Sequence, residues 1–361
     1  QRYGADVLSR IDYANQNGVA PLREAIRGQL SKLFLELCEK ANVSPNDLSV
    51  AVITGNTVML HLLMGLEPRS LAMAPFNLMS YFGNYEDLEI SGFEHMRVYL
   101  PRCISAYIGA DITCSILAAD LINLPDNTLL VDIGTNGEIV LKSDGRLICC
   151  STAAGPAFEG AGISMGMSAK TGAISKVWAE DERLCYSTIS GGQPVGICGS
   201  GLIDVIGAAR ELGIINEKGK IVSGDKAFEI GNSGVLITQA DIRELQMAKA
   251  AICAGIDTLM ELRGIEAHML TELILCGGFG SFLDPLSAAT IGMIPWTLRE
   301  KTRAIGNGAG AGASMILQHK ESRSLANYLA KEAEVVELSF SKSFSKRYVK
   351  AMYFPEITEA D

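Results

Sequence analysis

Asp132 ends an apolar run, Leu129-Leu130-Val131, and Gly134-Thr135-Asn136-Gly137 follows almost at once. A carboxylate beside a turn rich in backbone N–H groups, glycine and a hydroxyl is chemistry for gripping a phosphate. The acid is left over for a metal-bound or attacking water. Other stretches could serve the same chemistry. Gly277-Gly278-Phe279-Gly280 follows the apolar run Glu272 to Cys276, a glycine-rich strand-to-helix turn of the kind where open α/β sheets seat ligands. Tight packing alone explains many such turns. Cys198-Gly199-Ser200-Gly201 opens an apolar helical run, an anion-compatible start that is more often only a cap. Thr152 to Gly162, with Gly155, Phe158 and Gly160, is dominated by small residues, so backbone can approach a ligand or a helix closely. Asp111 falls early in a helix, where an acid suits the helix dipole or could hold a metal-bound water. Lys249 reads first as a solvated lysine, with a place in a cleft as the alternative.

These residues need elements to position them. Asn-Gly at 136–137 and Asp-Gly at 144–145 separate three strand-like runs, so residues 128–152 read as an antiparallel meander with Asp132 ending its first strand. Before it come helices over Gly4–Ala14 and Pro21–Lys40, then a buried strand at Leu48–Thr54. A helix from Asn56 to Gly65 follows, the mark of a doubly wound α/β unit. Glu67 to Gly92 reads as an irregular excursion, Met96–Leu100 as a strand, and Ser105–Leu121 as a loop entering a helix. Leu124-Pro125-Asp126-Asn127 is the best lobe boundary. Beyond the meander lie short strands and turns over 165–196, a long helix from Thr238 to Arg263, and a helix of very small residues after Gly308, a composition that lets helices pack closely. Lys342, Lys346, Arg347 and Lys350, between Glu337 and Phe354, read as a solvated face.

The 361 residues are 48% apolar and 20% charged, enough for two domains at about 150 residues each. A net charge of -10 argues against nucleic acid or an anionic membrane as the main partner, because both demand a basic face. Nine cysteines, with no C-x-x-C and no zinc spacing, point to a reducing cytoplasm. In Cys149-Cys150 one thiol is expected to face inward and the other outward; a redox pair is the alternative. No apolar run reaches the roughly 18–20 residues that span a bilayer, and no signal peptide pattern opens the chain. Gln1 reads as the inside of a longer protein.

Taken in order, the hairpin at 132–138, the Gly-Gly-Phe-Gly turn at 277–280 and the Gly/Ala helix near 308–314 resemble the actin-like ATPase superfamily of sugar kinases, Hsp70-type chaperones and actin. The resemblance narrows on Ile53-Thr54-Gly55-Asn56-Thr57, Val131-Asp132-Ile133-Gly134-Thr135-Asn136-Gly137-Glu138, Ala154-Gly155-Pro156-Ala157-Phe158-Glu159-Gly160 and Ile197-Cys198-Gly199-Ser200-Gly201. These segments resemble the reductive activators of corrinoid proteins, ATP-dependent enzymes that return a methyl carrier from cob(II)alamin to cob(I)alamin, and the likeness extends over about residues 1–355.

The resemblance implies an α/β, ribonuclease H-like fold of two lobes. The first lobe would span 1–126, the second, with the nucleotide motifs, 127–318, and a C-terminal extension 319–361. It implies ATP and Mg2+ as ligands and a corrinoid protein as partner, and it leaves room for a homodimer. Asp132 would orient the magnesium-bound or attacking water, and Asp111 would face the magnesium. Gly134, Thr135 and Asn136 would hold phosphate oxygens. Gly155 and Gly160 would line the nucleotide floor. Gly277, Gly278 and Phe279 would lie against the adenosine, flanked by the helix carrying Gln246 and Lys249. The family's first Asp-x-Gly-Thr-Thr hairpin has no match before residue 132. The 2Fe–2S centre belongs to an N-terminal domain, and its four-cysteine set is not found here. The expectation is therefore a chain that starts one hairpin late, binds nucleotide weakly and is inactive alone. Two other enzyme classes compete, an electron activator of 2-hydroxyacyl-CoA dehydratases and a small-molecule kinase. A non-catalytic actin-like scaffold is the reading from a different class.

Overall fold

Residues 3, 4 and 6–356 are described by a computed structural model, and the chain divides into two units. One comprises residues 1–122 and 307–335; the other comprises 123–306 and 336–361. The first unit opens with helix α1 (Val7–Asn17), where Asp6 and Ser9 cap each other reciprocally. Helix α2 (Ala20–Ala41) has Pro21 in its first turn, where the missing N–H costs nothing. Strand β1 (Val50–Val52) leads into α3 (Thr57–Met64). The Asn56 side chain caps the Met59 N–H at 2.9 Å, and Gly65, at φ 77°, ends the helix. Strands β2 (Asn84–Glu86) and β3 (Arg97–Leu100) complete a three-stranded sheet in the order β1-β3-β2. β2 lies inside the stretch expected to be irregular; three residues without alternation carry no strand signal of their own. Helix α4 (Ala110–Ala118) follows.

The second unit begins with the expected meander: β4 (Thr128–Ile133), β5 (Gly137–Ser143) and β6 (Arg146–Thr152). Asp144 and Gly145 both take positive φ, as a type I′ hairpin turn requires. The other connection is a three-residue loop, 134–136, because Gly137 already pairs with Ile133. Strands β7 (Ala173–Glu180), β8 (Arg183–Thr188) and β9 (Gly196–Ile197) form a second sheet. Next come α5 (Gly199–Glu211), the hairpin β10 (Ala227–Glu229) and β11 (Leu236–Thr238), and α6 (Gln239–Arg263), opened by a Thr238–Asp241 capping box. β12 (Glu272–Cys276) runs into the single turn α7 (Gly277–Gly280), then α8 (Pro285–Thr290) and β13 (Thr302–Ala304). The main sheet reads β13-β12-β4-β5-β6, with β12 parallel to both β4 and β13.

Leu129, Leu130 and Val131 are all fully buried, so this sheet is covered on both faces and each such side chain contributes roughly 1.5–3 kcal/mol. That coverage corrects the expectation for Cys149 and Cys150: both thiols are buried. α6 lies on β5 and β6 so closely that a Cβ on Gly255 would sit 2.5 Å from Ile139 Cδ1. No described helix is long and apolar enough to cross a membrane.

Helices α9 (Gly308–Gln318) and α10 (Lys320–Glu332) belong to the first unit, and α11 (Lys342–Ala351) to the second. This corrects the expected limits of 127–318 and 319–361. Gly312 has no side chain where α9 meets α4, and a Cβ there would overlap the Cys114 carbonyl. Such backbone contact fastens the small-residue helix to α4. The basic stretch after Glu337 is only partly a solvated face. Arg347 pairs with Glu261 at 3.0 Å, and Phe344 and Tyr348 pack against the core of the second unit.

Candidate functional site

Two neighbouring parallel strands of the second unit finish together: Asp132 of β4 is in register with Cys276 of β12. The loop 134–136 and the turn Gly277–Gly280 therefore leave from the same end of the sheet, the carboxyl end where α/β sheets take ligands. Gly277 makes this possible. It adopts φ +84°, and a Cβ there would lie 2.5 Å from Asp132 Oδ1, so only glycine fits against the carboxylate. Burial alone lifts the Asp132 carboxyl to about 6; among the described residues no lysine or arginine forms an ion pair with it.

The loop is held from both sides. The Gly134 N–H donates to Asn136 O at 2.9 Å, and the Gly155 N–H donates to Thr135 O at 2.9 Å. The Thr135 hydroxyl donates to Glu159 Oε1 at 2.7 Å. Gly160, at φ 79°, closes the short turn Pro156–Glu159, and a Cβ there would sit 2.7 Å from the Met167 backbone nitrogen. Inside that turn Phe158 stacks on Phe279, with centroids 5.2 Å apart and planes at 20°. The start of α5 presses on the pair, since a Cβ on Gly199 would lie 2.7 Å from Phe279 Cε2.

Beside the stacked rings is a cavity of about 750 Å3 lined by Phe158, Glu159, Lys176, Ser200, Phe279 and Phe282, among others. Of the residues given a nucleotide role from sequence, Gly278 and Phe279 line it, while Asp132, the 134–136 loop, Gly155 and Gly277 gather at its sheet end. Phe158, Glu159 and Ser200 lay in stretches singled out from sequence but carried no role of their own, and Lys176 and Phe282 were not singled out. The 154–160 and 198–201 stretches carried a signal in their small residues. An aromatic within an apolar stretch reads as core, and nothing local marks Lys176 or Phe282.

Gln246 and Lys249 correct the expectation that they flank this region. Both are buried in a different part of the unit. The Gln246 amide donates to Met352 O at 2.7 Å and to Lys218 O at 3.2 Å. The Lys249 ammonium donates to Tyr353 O at 2.6 Å and sits 5.1 Å from the Phe354 ring centre. Their face of α6 meets the segment after α11, so Lys249 is neither solvated nor turned to Phe279. Asp111 lies in the first unit. It occupies the first turn of α4, and its N–H donates to Gly55 O at 3.4 Å. Gly109 comes so close to the Gly55-Asn56 turn that a Cβ would sit 2.5 Å from Asn56 Cα.

Among the described residues no group of three or more His, Cys, Asp or Glu side chains gathers as a metal site. Magnesium ordinarily takes one or two carboxylates, with waters and substrate phosphates completing its shell. Asp132, half-buried without a counter-charge at the mouth of a backbone-rich loop, fits that donor set.

Residues 126–360 match the family model described as the C-terminal domain of RACo, the ASKHA domain, and residues 1–123 match the RACo middle region. The corrinoid activation enzyme RamQ of Eubacterium limosum is 34% identical over 387 residues, covering 98% of this chain and 64% of that protein. A Co(II) methylated amine-specific corrinoid protein reductase of Methanosarcina barkeri is 28% identical over 382 residues, covering 96% of this chain and 69% of that protein. A solved structure of a reductive activator for corrinoid, iron–sulfur protein superposes with a TM-score of 0.87 at 34% identity, covering 98% of this chain and 60% of that one. The chain thus spans between 60% and 69% of the length of these relatives.

Proposed function

The chain belongs to the RACo family, and from that membership we propose that it is the ATP-hydrolysing part of an enzyme that returns the cobalt of a corrinoid protein from cob(II) to cob(I). The relatives' names support the reaction. The observation that carries the ATP part is the half-buried Asp132, without a basic partner, facing Gly277 at the end of two parallel strands. The 750 Å3 cavity, with its Phe158–Phe279 stack, adjoins it.

In this reading the adenosine lies along Gly277, Gly278 and Phe279, with Phe158 backing the ring. Aromatic stacking of this kind holds a base by its face. The 134–136 loop supplies N–H groups and the Thr135 hydroxyl to the phosphate oxygens. Thr135 now spends its proton on Glu159, so it must turn from that carboxylate to donate to a phosphate. Gly155 and Gly160 keep the floor free of side chains. Asp132 accepts a proton from the attacking water as its oxygen bonds to the terminal phosphorus and the bridging P–O bond breaks. Magnesium, when bound, neutralises charge on the phosphates. The assignment of Asp111 to the magnesium rests on the family resemblance.

Reduction of cob(II) to cob(I) takes one electron, which, by the family resemblance, an iron–sulfur centre carried elsewhere in the enzyme would supply. ATP can drive this uphill step only if its bound form favours a different protein conformation from that of ADP. The test uses the whole protein with a corrinoid partner and a chemical electron donor. Cob(I) absorbance should grow only with ATP and Mg2+, and Asp132→Asn should cut both ATP hydrolysis and cob(I) formation by on the order of 100-fold. Cob(I) formation independent of ATP, or undiminished hydrolysis in the Asp132 variant, would sink the reading.

A further inference from the structure

A second cavity, of about 580 Å3, lies beneath α11 and the 352–355 segment of the second unit and shares no lining residue with the Phe279 cavity. One wall is a single stripe of α6, Lys249, Cys253 and Asp257, spaced four residues apart and so about 12 Å along the axis from first to last. The stripe has two electrical ends. At the acidic end Asp257 and Glu261 are matched by Arg347 of α11, at 3.8 and 3.0 Å. In the middle, burial pushes the Cys253 thiol up to about 12, so it is neutral.

The lysine end has no such match. Lys249 is 1% exposed, and among the described residues the Tyr353 carbonyl accepts from its ammonium and the Phe354 ring lies 5.1 Å from it. Lys350 lines the same cavity and reaches toward Asp257 as well, whose carboxyl it helps hold down against burial. Among the described residues neither lysine forms a salt bridge. One carbonyl uses one of three ammonium protons, and a buried cation without a counter-ion is costly. Burial brings Lys249 down to about 8, still cationic at neutral pH. Gly292 packs beside it, since a Cβ there would stand 2.8 Å from Pro355 Cγ and 3.6 Å from Lys249 Nζ. The remaining walls include Ile294, Pro295, Phe354 and Pro355, and the volume falls within the usual range for ligand sites.

We propose that this cavity binds an organic anion with an apolar body, its carboxylate, sulfonate or phosphate held between Lys249 and Lys350. The site is separate from nucleotide binding and does not rest on the ATP reading.

The experiment titrates the protein with 8-anilinonaphthalene-1-sulfonate, whose sulfonate and rings match the two ends of the site, and follows fluorescence. We expect one saturable, salt-sensitive site. Lys350→Gln should weaken it at least fivefold and Lys249→Met at least tenfold, while Lys176→Gln, in the other cavity, should leave it unchanged. Lys350 is exposed, so its variant decides the matter even if Lys249→Met does not fold. The proposal is overturned by no saturable binding, by wild-type affinity in Lys350→Gln, or by loss of binding in Lys176→Gln alone.

Discussion

Gly277 and Asp132 are bound to each other by geometry. At φ +84° a side chain would be strained, and its Cβ would press on Oδ1 of a carboxylate that already lacks a counter-charge. Gly277→Ala should therefore cost about 1–3 kcal/mol, read as a lower urea midpoint, and should lower ATP turnover by displacing Asp132. A variant of wild-type stability would show that the turn relaxes freely. Gly278 next to it is exposed and meets nothing within 4 Å. Two adjacent glycines thus differ in kind, one required by a close approach and the other leaving open space beside Phe279.

At the scale of elements, α6 serves two clients. One face lies on the main sheet through Gly255, and the other holds α11 and the 352–355 segment. Gln246 and Lys249 take carbonyls 352 and 353, and Arg210 of α5 donates to Pro355 O at 2.9 Å. Lys249 makes this fastening sensitive to pH. Its proton leaves near pH 8 when folded, against 10.5 for an unperturbed lysine. Below about pH 8 both states hold the proton and the burial cost is constant. Between 8 and 10.5 the unfolded chain binds more protons, so the folded state gains stability as pH rises. Set against Lys249→Met, which cannot titrate, the wild type should gain about 3 kcal/mol across that window. Urea unfolding of both proteins from pH 7.5 to 10.5 measures it; a constant difference would mean that Lys249 has a normal affinity for its proton.

For the whole molecule, the proposed nucleotide contacts fall in one unit. The phosphate loop, the 155–160 turn and the 277–280 turn all lie in the second unit. Hydrogen exchange on the whole protein with Mg2+ and ATP should show its largest slowing in residues 133–137, 154–160 and 277–280. Slowing confined to the first unit would contradict the placement of the nucleotide.

Much of this architecture was legible in the chain, and for local reasons. Asp144-Gly145 makes a type I′ turn because of which residues tolerate positive φ. Asn56 and Thr238 cap helices because their oxygens reach N–H groups three residues on. The meander, and with it the position of Asp132, follows from alternation and turn chemistry within a few residues. The family resemblance rested on the same short motifs.

Packing between distant segments decided the rest. Only the fold brought Cys276 into register with Asp132, set Phe158 against Phe279, and gave the Thr135 hydroxyl to Glu159. It also returned α9 to the first unit, because Gly312 allows a backbone contact with Cys114. It took Lys249 out of solvent and gave it to a carbonyl more than one hundred residues away. Helical period shows that a residue lies on one face or another. Which segment covers that face is set by the closest fit among all of them, a property of volume and contact that no stretch of sequence holds by itself.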